Sequence, residues 1–457
     1  MNLLVKDKCF YEKMAVIAIP ISLQSMITIG VNMTDTVMVG MLGETSLSAT
    51  ALANQFVNIY QICCMGIAMG ASVLTSRFWG MQDITSLKKT ITLMLRLCIV
   101  LAVLFMLPTI LIPQLLMRMY TNDSAVIAQG VQYFKWMVYC YFLQGMTLTC
   151  TIVLRSVGQV NFPLFTSIGS FFVNILFNYM FIFGKLGVPR MEVEGAGVGT
   201  LIARVFEFLL ICGYFLFVDR KIGYRLKNLR MKCNSLIKDY VSISIPVFVS
   251  DSLLALGTSA VAMVMGRIGT GFVSANSITV VTQQLTTVII QGICHASCIM
   301  TGHTLGHGER EKAQQQAWTF LILGLVVGIL GGGLIKVLSR PIIGLYNITP
   351  ETAQIAGELM DAIAFIVIFQ SMNSILTKGV LRGGGDTKFL MVADIIFLWA
   401  ASLPLGILAG LVWHLDAFWI YVFLKIDQIC KSIWCVFRLR SGKWIKTFSK
   451  EKMNHAQ

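Results

Sequence analysis

The apolar residues of this chain come in long runs rather than in the spaced stripes of a soluble helix. A helix that crosses a bilayer needs about 20 mostly apolar residues. Twelve stretches meet that condition, at 14–40, 50–76, 91–117, 133–154, 162–184, 196–218, 240–266, 275–301, 315–338, 355–380, 389–411 and 416–437. They predict an all-α polytopic membrane protein with twelve transmembrane helices. The first stretch follows Lys6, Lys8 and Lys13, as in a signal peptide, but it runs too long, carries Asp35 and lacks a convincing cleavage site. It reads as a helix.

The pattern repeats. At an offset of 226 residues Pro20 meets Pro246, Gly40 meets Gly266, Gly43 meets Gly269, Gly66-Ile67 meets Gly292-Ile293 and Gly80 meets Gly306. One inserted residue later, Val153-Leu154-Arg155 meets Val380-Leu381-Arg382. A fixed offset across six helices points to duplication. Six helices is an even number, so both copies enter the membrane from the same side. The expected organisation is two six-helix lobes related by a parallel internal repeat, with a pathway between them. Residues 1–218 form the N-lobe, 219–238 a basic cytoplasmic linker, 239–440 the C-lobe and 441–457 a cytoplasmic tail.

Composition sharpens the class. Hydrophobic residues make up 56% of the 457 positions and charged residues 13%, too few charges to cover a soluble surface of this size. The net charge of +14 would suggest nucleic acid in a soluble protein. Here its distribution matters more. With the N-terminus inside, cytoplasmic segments hold 24 Lys and Arg and the opposite side holds 6. Both termini are therefore expected in the cytoplasm. No nucleic acid and no obligatory protein partner is implied. The partners are a small-molecule substrate and the lipid bilayer.

Most of the 12 cysteines sit within apolar runs and read as small packing residues. Cys294 and Cys298 flank His295, but no second cluster completes a zinc site. His303 and His307 lie among glycines, at a loop or frayed helix end. The chain has no phosphate-binding G-x-x-x-x-G-K-[ST] sequence, haem motif or activated nucleophile, so neither an enzyme nor a cofactor is expected. Gly383–Gly385 reads as a cytoplasmic turn with Asp386 capping the eleventh helix.

Ionisable residues at membrane depth are costly, and each is a functional candidate. Asp35 stands among Asn32, Thr34 and Thr36. Arg204 and Glu207, three apart on the sixth helix, are expected to neutralise each other. Asp251 and Asp394 are further intramembrane charges. Lys425, Asp427 and Lys431 are expected near the ends of the last helix, with long side chains reaching outward. On the fifth helix Asn174 and Asn178 share a face. They serve either as a helix–helix hydrogen-bond pair or, with Asp35, as a hard-oxygen site for Na⁺ or for a carboxylate that takes up protons. Thr200, within Gly195-Ala196-Gly197-Val198-Gly199-Thr200, adds a hydroxyl where small residues allow close approach.

Over nearly its whole length the chain resembles a multidrug and toxic compound extrusion (MATE) transporter. The resemblance rests on Pro20 with Asp35-Thr-Val-Met-Val-Gly40, Gly66-x3-Gly70-Ala71-Ser72, and Arg155-x2-Gly158-Gln159. It continues through Asn174-x3-Asn178, Glu194-Gly195-Ala196-Gly197 with Thr200, and Arg382-Gly383-Gly384-Gly385-Asp386-Thr387-Lys388. It implies a cation-coupling site in the N-lobe at Asp35, Asn174, Asn178 and Thr200, with no resident metal beyond Na⁺ in transit at Asp35. Some members carry an aspartate where this chain has Asn178, so here Asp35 is the only carboxylate of the four. Acidic residues that some branches place in the seventh and tenth helices meet only Asp251, Gln370 and Ser371 here, so no C-lobe cation site is implied. The expected function is secondary active antiport in the plasma membrane, exporting amphipathic and mainly cationic drugs in exchange for H⁺ or Na⁺. Which residues line the substrate cavity is left open. A flippase or exporter of lipid-linked sugars is the alternative with related architecture, and a non-transporting membrane receptor or scaffold is the second.

Overall fold

The computed structural model describes residues 4–185, 187–344 and 348–447. Among them the protein is helical, without strands. The first repeat holds α1 (Lys8–Gly40), α2 (Glu44–Gly80), α3 (Ile84–Leu111), a short α4 (Pro113–Arg118), α5 (Ser124–Ser156), α6 (Asn161–Phe183) and α7 (Glu192–Gly213). The second holds α8 (Asn234–Ile268), α9 (Thr270–Gly306), α10 (Arg310–Ile343), α11 (Pro350–Ser374), α12 (Thr387–Asp394), α13 (Leu403–Ile407), α14 (Ala417–Leu424) and α15 (Ile426–Arg440). Wide π-type turns extend α7 to Val218 and α11 to Leu381, and join α12 and α13 into one span reaching Val412.

Eleven helices among the described residues are long and apolar enough to cross a membrane. The twelfth stretch is broken at Lys425 into α14 and α15, and together these complete the second six-helix lobe.

The repeat is visible in packing and in turns. In the first copy α2 packs on α3 and α5, and α3 on α5; in the second, α9 packs on α10 and α11, and α10 on α11. The α5–α6 turn places Gly158 at φ 79° and the turn before α12 places Gly385 at φ 85°. A residue with a Cβ is strained there. In each turn the next backbone N–H reaches the carbonyl five residues back, Gln159 to Leu154 and Asp386 to Leu381.

Two compact units divide the chain. One is Leu23–Ser244; the other runs through Ser22 and resumes at Ile245. Both boundaries fall inside helices, α1 and α8. The first half of α1 packs with the second repeat: the Val5 amide donates to Thr319 Oγ1 (3.0 Å), Phe10 meets Phe320, and Gly292 presses on Ala18 and Ser22. The first half of α8 packs with the first repeat: Tyr240 donates to the Ile67 carbonyl (3.0 Å), and Gly70 leaves no room for a Cβ against Ser244. The basic segment 219–238 is fastened to α3 in the same unit. Tyr224 and Thr92 share a hydrogen bond of 2.9 Å, and Arg96 donates to the Leu229 and Met231 carbonyls.

Two expectations change. Asp386 does not cap α12 with its side chain; its carboxylate instead takes Arg438 at 2.7 Å and Lys446 at 3.3 Å. Lys431 and Asp427 do not reach outward but are buried at 2% exposure each. Of the expected tail, 448–457 lies outside the described residues.

Candidate functional site

The site is built on α1, α2, α5, α6 and α7 of the first repeat. The polar half of α1 satisfies its own hydroxyls locally: Thr34 donates to the Gly30 carbonyl (2.9 Å) and Thr36 to Asn32 (2.7 Å). Asp35 has no such internal option and turns to α6. Asn178 Nδ2 donates to Asp35 Oδ1 at 2.6 Å and approaches Asn174 Oδ1 at 3.4 Å. Asn174 also faces the Asp35 carboxylate. The i,i+4 spacing of the two amides makes this geometry, because both project from one face of α6. Asn174 and Asn178 are buried at 3% and 1% exposure, and Asn178 Oδ1 has no hydrogen-bond partner among the described residues. Gly199 permits the approach, since a Cβ there would strike the Asn178 side chain.

These residues open onto a cavity of about 350 Å³. Asp35 and Thr200 line it, with Asn174 at its wall. The four expected coupling residues are thus brought together, three on the cavity surface and Asn178 directly behind Asp35. Thr200 reaches the cavity from α7, whose glycines bring that helix against α6.

The cavity also holds polar groups that sequence reading did not single out. Asn54, Asn58 and Gln61 of α2 line it, and Tyr133 donates to Asn54 Oδ1 at 3.2 Å. Their i, i+4, i+7 spacing on an otherwise apolar helix is a signal the sequence carries. Gln144 and Ser167 add further polar lining, and Met137 and Val57 supply apolar wall. Arg204 and Glu207 form the expected ion pair at 2.8 Å. That pair lines the same cavity, and the Arg204 charge acts on Asp35. Below it, Gln24 donates to Ser167 at 2.8 Å and accepts from Arg155.

The two further charges are in the second repeat, and both are paired. Asp251 accepts from Arg382 at 3.0 Å, and Asp394 from Lys431 at 3.0 Å. Gln283 and Gln370 bond each other at 2.7 Å. Among the described residues no group of three or more His, Cys, Asp or Glu is arranged to hold a metal ion.

Chemically, the first-repeat site offers the half-buried Asp35 carboxylate on a polar cavity, backed by amides and a hydroxyl, with the Arg204–Glu207 pair on the same cavity.

The sequence matches the MatE family over residues 20–180 and 246–429, that is, over both repeats. It is 24% identical over 90% of its length to the uncharacterized transporter YisQ of Bacillus subtilis, across 90% of that protein. It is also 24% identical over 94% of its length to a probable multidrug resistance protein, NorM, of Thermotoga maritima, across 92% of that protein. The fold is similar to the crystal structure of a mutant of the Vibrio cholerae MATE transporter VcmN. The TM-score is 0.86 with 16% identity, covering 95% of this chain and 97% of that one. A MOP superfamily transporter from Pyrococcus furiosus is similar at a TM-score of 0.83 and 19% identity, covering 95% and 96%. The match across both repeats, on twelve spans in two lobes, places the chain in the MATE family of multi-pass membrane transporters.

Proposed function

We propose that the protein is an antiporter that exports amphipathic, mainly cationic, small molecules across the plasma membrane in exchange for inward-moving H⁺ or Na⁺. Both termini lie in the cytoplasm in this reading, and the lobes are 1–218 and 239–440, joined by 219–238. The observation that carries it is Asp35: an intramembrane carboxylate held by Asn178 on the wall of a polar cavity, with no salt bridge of its own among the described residues. The multidrug resistance names of relatives such as the Thermotoga maritima protein support the substrate class.

The geometry favours H⁺ over Na⁺. Asn178 presents its NH₂ group, not its carbonyl, to Asp35. A Na⁺ ion needs several oxygens at once, and one carboxylate with a donor turned towards it is a poor cage. A proton needs only the carboxylate. Loading Asp35 from outside would favour the state that releases drug. Unloading to the cytoplasm would favour the state that collects it. Coupling is then the difference in affinity between two states.

Proteoliposomes with an imposed pH or Na⁺ gradient and a fluorescent organic cation test this reading. Wild-type protein should drive dye transport with the pH gradient. Asp35→Asn, at equal incorporation, should bind dye and fail to couple it. Transport at wild-type rates in that variant would place the coupling site elsewhere.

A further inference from the structure

The second repeat holds a buried constellation with no role in the Asp35 site. Lys431 Nζ lies 3.0 Å from Asp394 Oδ1 and 3.0 Å from Asp427 Oδ2. Ser250 donates to the other oxygen of Asp394. Ser402 Oγ lies 3.3 Å from Asp427 Oδ1, and Gln428 Nε2 donates to Asp427 Oδ2 at 2.7 Å. One ammonium is therefore ringed by two carboxylates, with two hydroxyls behind them, drawn from α8, the α12–α13 span and α15. Exposure of the three charged side chains is 2%, 9% and 2% for Lys431, Asp394 and Asp427. Lys425, at the α14–α15 break, adds its charge to Asp427. Beside this ring Asn373 donates to Gln428 at 2.7 Å, while its own Oδ1 is buried without a partner.

The internal repeat relates this ring to the first-repeat cavity. Gln24 and Ser250 stand 226 residues apart, and Ser167 and Asp394 stand 227 apart, the offset that holds after the inserted residue. Each pair is hydrogen-bonded: Gln24 to Ser167, and Ser250 to Asp394. Ser167 lines the 350 Å³ cavity. On the sixth helix of the first repeat Thr200 and Arg204 line that cavity four residues apart. On the sixth helix of the second, Asp427 and Lys431 have the same spacing. The counterpart of an open polar site, lined by Asp35 and by the Arg204–Glu207 pair, is thus a closed one in which two carboxylates flank a single ammonium.

Two carboxylates that face one point, their other oxygens held by hydroxyls, present hard oxygens of the kind that bind small cations. An ammonium carries the same charge as Na⁺ or K⁺ and meets such oxygens at hydrogen-bonding distance. Two buried carboxylates need a positive partner, and here the chain supplies it covalently.

We infer that the second repeat contains a monovalent-cation site whose cation is built in: the Lys431 ammonium occupies the place that a Na⁺-like ion would take between Asp394 and Asp427, whose other oxygens are held by Ser250 and Ser402. The second repeat then needs no ion from solution, and coupling is confined to the first. That last consequence rests on the reading of Asp35 given above; the site itself does not.

The test removes the tethered cation and supplies a free one. Binding of radiolabelled Na⁺ is measured on full-length protein in nanodiscs, with Asp35→Asn present throughout to silence the first repeat. Adding Lys431→Met should create one saturable Na⁺ site per chain, and further adding Asp394→Asn with Asp427→Asn should abolish it. Folded Asp35→Asn/Lys431→Met protein that binds no more Na⁺ than Asp35→Asn alone would overturn the inference. If Lys431→Met is unstable at low salt, its melting midpoint should rise with NaCl and not with choline chloride at equal ionic strength. An equal rise in both salts would overturn it as well. Transport by the single Asp35→Asn variant reports on the proposed function separately, so the two ideas fail by different results.

Discussion

Asp35 and Asp394 are both carboxylates within membrane-spanning helices, and their surroundings differ in every respect that matters. Asp35 is half-buried on an open cavity and is held by a neutral amide at 2.6 Å. Asp394 is sealed at 9% side-chain exposure and shares an ammonium with Asp427. The first arrangement leaves a negative charge available to a mobile ion. The second pairs its charge with the Lys431 ammonium at 3.0 Å. An intramembrane acid is thus not informative by its presence alone; its partner decides what it can do.

That contrast can be broken or sharpened by substitution. The largest expected effect is on transport. Asp35→Asn should reduce gradient-driven efflux to the background of empty vesicles, with the melting midpoint nearly unchanged, because a neutral amide replaces a group that has no salt bridge among the described residues. Asp394→Asn should do the reverse, lowering the melting midpoint while efflux per folded molecule stays near wild type. Parallel dye-efflux and thermal-melting measurements on both variants check this.

Next comes Lys431→Met in wild-type background. It strands two buried carboxylates, and breaking a buried ion pair in this way costs about 3–5 kcal/mol. Denaturant titration in detergent should show the loss. Most of it should return when Asp394→Asn and Asp427→Asn are added, since the apolar and neutral replacements no longer leave charge unpaired.

Asn178→Leu is smaller. It removes the donor to Asp35, a hydrogen bond to a charged group worth about 1.5–3 kcal/mol. The expected reading is a roughly 10- to 100-fold change in the cation concentration that half-saturates efflux, measured across a series of imposed gradients. The smallest effect is expected at Thr36. Its hydroxyl is exposed and bonded to its own helix, so Thr36→Val should change efflux and melting by less than about 0.5 kcal/mol.

How much of this was legible in the sequence follows from where each contact runs. The twelve spans and the repeat were readable because hydrophobic run length and a fixed offset are properties of the chain itself. Asn174 with Asn178 was readable from helical periodicity. Arg204 with Glu207 was readable for the same reason, although their place on the Asp35 cavity was not. Asn54, Asn58 and Gln61 carried an equally clear spacing on α2, masked by the length and apolarity of the helix around them. The Lys431 ring was not legible. Asp394 and Lys431 are 37 residues apart on different helices, and nothing local joins them. The rule that lysines near helix ends reach outward pointed the wrong way, because Lys431 lies on the buried face of α15 with Asp427, Ser432, Cys435 and Leu439. Asp386 stands at the N-cap position of α12 as expected, but its carboxylate turns to Arg438 and Lys446, which arrive from the far end of the chain.

The central claim is that coupling passes through Asp35 alone. Charge movement on a solid-supported membrane, recorded after a rapid jump in pH or Na⁺ without drug, tests it most directly. Wild-type and Asp394→Asn protein should give the same transient current, and Asp35→Asn none. A current that survives in Asp35→Asn, or that disappears in folded Asp394→Asn, would contradict the account.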